Sequence, residues 1–153
     1  MFLLLPLALL LVSPAHATSP VPVTFTIYSQ PANVIENRTT ASGIMLFTAN
    51  QSLTFTGGMT GSGVAVFSVI LRPTGDYVIH ATISFTGTVN GSQPGTAEFV
   101  VEGTGSFGPY SQQGHVTLGR GTGGLEGLHG QGKYQSSDTI VTTATIPIHF
   151  DPA

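Results

Sequence analysis

The sequence has no cysteine and no tryptophan, and very little charge: 4 Lys or Arg and 7 Asp or Glu in 153 residues. Each absence excludes something. Without cysteine there is no disulfide framework, no thiol nucleophile and no lipid-bearing thiol of a lipoprotein. With four basic residues and a formal net charge of -3, there is no positive field to attract phosphate backbones, and nucleic acid is not an expected partner. Charged residues are 7% of the chain, against roughly 25% in an average soluble domain. Disorder is not the consequence, because 41% of the residues are hydrophobic. One domain with uncharged polar outer faces is expected instead.

What is present begins with an apolar run, Met1 to Val12, interrupted only by Pro6 and followed by Ala15-His16-Ala17. A short apolar stretch ending in small residues spaced A-x-A reads as a secretory signal cut after Ala17. It is too short for a membrane span, which needs about 20 apolar residues. The expected organisation is therefore a signal peptide, 1–17, and one domain, 18–153, secreted to the extracellular side.

From Val21 the apolar residues recur with period two, the pattern of half-buried strands. Val21, Val23, Phe25 and Ile27 form one such set, and Tyr77, Ile79, Ala81, Ile83 and Phe85 a second. Ala97, Phe99, Val101 and Phe107 form a third, and Ala144, Ile146, Ile148 and Phe150 a fourth. Gly43 to Thr48 and Val64 to Leu71 are apolar on both faces, as central strands or an inter-subunit face would be. Pro73-Thr74-Gly75-Asp76 and Asn90-Gly91 supply turn chemistry. Pro147 cannot donate to a ladder, so its strand is expected at an edge or with an irregularity there. No dozen residues show a helical period. The pattern predicts an all-β fold, a single closed antiparallel β-barrel of about eight strands, with Gln30 to Thr40 and Phe107 to Gln113 as irregular connections.

The segment from Gly119 to Gly132 is the most distinctive. It formally contains G-x-G-x-x-G, with Asp138 nearly twenty residues on, but glycines recur where a dinucleotide site needs a helix. No Gly-Lys-Ser/Thr follows, so it is not a phosphate loop. It reads better as a strand end, one helical turn in which Leu125 and Leu128 plug a barrel end, and a strand bending close by.

Gly121-Thr-Gly-Gly-Leu-Glu-Gly-Leu-His-Gly-Gln-Gly132 resembles the GTG-x-L-x-G-L-x-G-x-G stretch of a family catalogued as domain of unknown function 3224. Phe55 to Gly63, Phe85 to Gly91 and Glu98 to Gly105 extend the resemblance over roughly Val21 to Phe150. That family is related to the allene-oxide-cyclase-like barrels and the dirigent proteins. The resemblance implies a small closed barrel, often oligomeric, whose named cousins handle hydrophobic small molecules. Tryptophan, frequent in the family's first strands, is absent here.

Among chemistry-bearing residues, His80, His115, His129 and His149 are far apart in sequence, so no metal site is expected. Glu98 and Glu102, about 13 Å apart along a strand, are too distant for a paired acid/base device, which needs about 5 to 9.5 Å. Either could act alone if it pointed inward, but alternation with Phe99 and Val101 places both outside. Arg72 and Arg120, at expected strand ends, are candidates for holding a ligand carboxylate. Asn37, Asn50 and Asn90 head N-x-S/T sequons in expected turns and are candidates for glycan attachment after export. The repeated Thr-x-Thr pairs suit the outer face of strands.

No nucleophile elbow or other catalytic motif occurs and no cofactor is implied. The first expectation is a carrier that binds an apolar small molecule without turnover. Ile79, Ile83, Phe85, Phe99, Val101, Phe107, Ile146 and Ile148 would line its interior. An isomerase or cyclase relying on pocket shape is the second, with Glu98 and Glu102 as residues to test. A structural or cell-surface homo-oligomer joined through the two-faced apolar strands is the third.

Overall fold

The computed structural model describes residues 19–151, so the leader reading at Met1 to Ala17 lies outside the described residues. Nine strands run in chain order: β1 Val21–Ser29, β2 Asn33–Thr39, β3 Met45–Gly57, β4 Met59–Leu71, β5 Asp76–Val89, β6 Gly95–Phe107, β7 Tyr110–Gly123, β8 Leu128–Ser136 and β9 Val141–Phe150. Every pairing is antiparallel, in the order β1-β9-β8-β7-β6-β5-β4-β3-β2, and an additional β1–β3 ladder closes eight strands into a barrel. No helix occurs among the described residues.

β2 is the ninth strand. β1 pairs with the second half of β3, Ser29 opposite Leu53, and β2 with the first half, Asn33 opposite Asn50. The two are thus one strand line broken at Gln30-Pro31-Ala32, where Pro31 has no amide hydrogen for the ladder. The segment Gln30 to Thr40 is therefore mostly strand, a correction to its reading as an irregular connection. Every β2 residue is exposed, so no buried face marks it in the sequence. Phe107 to Gln113 is likewise two strand ends joined by the two-residue turn Gly108-Pro109.

The expected turns are present. Gly75 donates its amide to the Arg72 carbonyl at 2.9 Å, and Asn90 and Gly91 both adopt positive φ. Between Gly123 and Leu128 the backbone makes successive tight turns rather than the expected helical turn, with Gly123 and Gly127 at positive φ, Leu125 N–H bonding to Thr122 O and Leu128 N–H to Leu125 O. Leu125 and Leu128 are completely buried by them. The β8–β9 ladder runs from Leu128 opposite Phe150 to Gly130 opposite Ile148, and stops where Pro147 would have to donate.

The barrel is filled at one end. Phe25, Phe55, Phe85 and Phe99 pack there, with Phe55–Phe85 ring centroids 4.9 Å apart at 71°. Met59, Val89, Leu118, Leu125 and Leu128 seal the same end. The outer faces carry Thr pairs in register, with Thr24 and Thr145 hydroxyls 2.8 Å apart and Thr26 and Thr143 3.0 Å apart. On β4 the inward Ala65 and Val69 are buried, whereas outward Val64, Val66 and Ile70 are exposed. Val64 to Leu71 on this strand is one of the two segments whose sequence is apolar on both faces.

Candidate functional site

The other half of the barrel is hollow. A cavity of about 300 Å³ opens at the end carrying β2, the Gly108-Pro109 turn and the loop from Ser137 to Ile140. The size lies at the low end of small-molecule pockets, about 300–1,000 Å³. Its walls are apolar side chains pointing inward from successive strands, among them Ile27, Ala65, Phe67 and Ala81. Of the residues expected to line an interior, Ile79, Ile83, Phe99, Val101, Phe107 and Ile146 do so. Phe85 and Ile148 belong instead to the packed end and are almost fully buried.

A hydrogen-bonded polar cluster built from β5, β7 and β8 interrupts this apolar wall, and Ser29, Gln51, Thr139 and Thr142 add further polar groups to it. Tyr77, Tyr110, Gln112 and Tyr134 all line the cavity. The Gln112 side-chain oxygen accepts from the Tyr110 hydroxyl at 2.8 Å and from the Tyr77 hydroxyl at 3.2 Å. Its amide nitrogen donates to the Tyr134 oxygen at 2.7 Å. Tyr77 also reaches the Ser111 carbonyl at 3.4 Å. Space for the rings comes from β6, where a Cβ on Gly103 would strike the Tyr134 hydroxyl and one on Gly105 the Tyr77 ring. Burial raises the pKa of Tyr77 and of Tyr134 above the ordinary phenol range, since a phenolate in this apolar half would lose its water. For Tyr134 the Gln112 hydrogen bond opposes that rise by favouring the phenolate.

Asp138 is the one charged residue among those lining the cavity, and it sits exposed at the mouth. Its Oδ1 accepts the amides of Ile140 at 2.6 Å and Val141 at 3.1 Å, which lowers its pKa.

The other candidates lie outside. Glu98 is on the outer face, 3.2 Å from Arg120, and Glu102 is exposed, 3.6 Å from His80. Arg72 is in the exposed β4–β5 turn, and neither it nor Arg120 is among the lining residues. Of the sequon asparagines, Asn90 is in a turn, but Asn37 lies on β2 and half-buried Asn50 within β3, which corrects their placement in turns. Pairing of β8 with β9 sets His129 opposite His149, and both approach Asp151, at 3.0 and 3.6 Å. No group of three His, Cys, Asp or Glu among the described residues could hold a metal ion.

Tyr110 and Gln112 carry no apolar alternation, because Ser111, Gln112 and Gln113 are all polar. The signal that finds them is geometric: counting back by twos from inward Leu118 and Val116 reaches Gly114, Gln112 and Tyr110.

Comparison with known proteins adds the lineage. No curated protein matches the chain. A crystal structure of a protein with unknown function from the DUF3224 family of Shewanella oneidensis MR-1 is similar in fold, with a TM-score of 0.73 and 20% identity over 88% of this chain and 99% of that one. At that identity the likeness concerns the fold alone. The family model described as "Protein of unknown function (DUF3224)" matches residues 22–145, and the chain belongs to that family.

Proposed function

We propose that this chain is an exported barrel that holds one apolar small molecule in its open half and does no chemistry on it. The observation that carries the reading is the asymmetry of the interior. Aromatic packing fills one end, while the other keeps about 300 Å³ of mostly apolar space bordered by the Tyr77, Tyr110, Gln112 and Tyr134 cluster. A barrel with no ligand role gains nothing from that hollow, because each unfilled volume forfeits dispersion contacts. The cluster supplies orientation, as a few polar groups in an apolar pocket commonly do. Turnover is not part of the reading, because Glu98 and Glu102 are outside and burial raises the pKa of the lining Tyr77 and Tyr134 phenols.

Export rests on the A-x-A boundary at Ala15-His16-Ala17. Native mass spectrometry of protein recovered from its natural source tests both parts. The expected spectrum has a chain beginning at Thr18 and a bound small mass that leaves on denaturation. A ligand-free spectrum from freshly recovered protein would refute the carrier, and an intact Met1 would refute cleavage.

A further inference from the structure

We infer that the cavity selects neutral molecules bearing a hydrogen-bond acceptor, a ketone, ester or ether oxygen, and that Tyr134 is the donor that receives it. The inference rests on the reading of the cavity as a ligand site. It follows from counting donors and acceptors in the cluster. The Gln112 oxygen has two acceptor positions, and the Tyr110 and Tyr77 hydroxyls occupy both. This orients the amide so that its nitrogen donates to the Tyr134 oxygen. Tyr134 therefore accepts from Gln112 and still has its own proton to give. No acceptor for that proton occurs among the described residues. The residue is 9% exposed and lines the cavity, so its spare donor is turned away from bulk water and toward the space a ligand takes. A buried donor without a partner is costly, and an acceptor on the ligand removes the cost.

Charge narrows the class further. Among the described residues no Lys, Arg or His lines the cavity, and the one charged group there is the Asp138 carboxylate at the mouth. An anionic ligand would leave water with no counter-charge to meet it and would pass a like charge on entry.

Three probes of nearly the same shape test this by calorimetric titration: 2-acetylnaphthalene, its hydrocarbon isostere 2-isopropenylnaphthalene, and 2-naphthoate. In Tyr134→Phe the ketone affinity is expected to fall about 3- to 10-fold, the range of one neutral hydrogen bond. The hydrocarbon's affinity should move less than about twofold, as the ring remains. Naphthoate should bind the parent protein at least about tenfold more weakly than the ketone. If both neutral probes bind but Tyr134→Phe changes them equally or not at all, the donor assignment is wrong and the ligand site stands. Loss of ketone affinity in Tyr110→Phe instead would place the amide the other way round and overturn the assignment. If neither neutral probe binds, the carrier reading fails and this inference with it. Naphthoate binding as tightly as the ketone would overturn the neutral class. Should Tyr134→Phe not fold, the ¹³C=O stretch of the ketone on the parent protein decides. A hydrogen-bonded frequency is expected, and a hexane-like one refutes a donor.

Discussion

Truncating one phenylalanine at each end of the barrel tests the division of the interior. Phe55 is 1% exposed and touches three other rings, Phe85 at 4.9 Å, Phe99 at 5.8 Å and Phe25 at 6.1 Å. Phe→Ala in a filled core costs about 3–5 kcal/mol, and aromatic pairs contribute about 0.5–1.5 kcal/mol each beyond area. Phe55→Ala belongs at the top of that range, about 4–5 kcal/mol. Phe67 is half-buried, lines the cavity and has one aromatic neighbour, Phe47 at 6.5 Å. One side of its ring already faces empty space, so Phe67→Ala should cost about 1–2 kcal/mol. Because the chain has no tryptophan, urea unfolding is best followed by far-ultraviolet circular dichroism. With a slope of about 1.5 kcal/mol per molar, the midpoint falls by about 3 M for Phe55→Ala and about 1 M for Phe67→Ala. Costs equal within about 1 kcal/mol would refute the division into a packed and a hollow half.

Other expectations follow from the same geometry. A Cβ at Gly121 would overlap the Leu125 backbone carbonyl, so Gly121→Ala must displace the turn that carries the plug and should lose about 3 kcal/mol in the same urea assay. Tyr77 and Tyr134 have native pKa values raised above the unfolded value of about 10, so the unfolded chain gives up these protons first. Their contribution is fully present below about pH 10 and is lost as pH rises from there toward the native values. Urea midpoints measured from pH 8 to pH 11.5 should therefore fall above pH 10, and less steeply in Tyr77→Phe. Glu98→Ala and Glu102→Ala remove only outer-face pairs, and each should leave 2-acetylnaphthalene affinity unchanged and stability within about 1 kcal/mol, as calorimetry and urea titration would show.

Much of this fold is legible in the sequence because a barrel makes each wall strand alternate. Phe99 and Val101 face in, and Glu98 and Glu102 out, as period two requires. The plug is legible too, since Leu125 and Leu128 are the apolar residues of a glycine-rich turn. β2 is not legible. Val34 and Ile35 are adjacent, Glu36 and Arg38 are charged, and backbone pairing with β3 holds the strand without a buried face. The cavity is hidden for another reason. Ile83 and Ile148 look equivalent in an alternating pattern, yet one borders the hollow and the other the packed end. That difference depends on height along the barrel, which ladder register sets and local pattern does not. The Gln112 hub is hidden because two of its three partners, Tyr77 and Tyr134, come from β5 and β8 and meet it only through sheet pairing.

Methyl nuclear magnetic resonance during titration with 2-acetylnaphthalene is the most direct test of the central claim that the open half is the binding site. The methyls of Ala65, Ile79, Ala81 and Val101, which line the hollow, should shift in a saturable way, while those of Leu125 and Leu128 at the sealed end stay in place. Shifts confined to the exposed Val64, Val66 and Ile70 on the outside of β4, or no saturable shift at all, would contradict it.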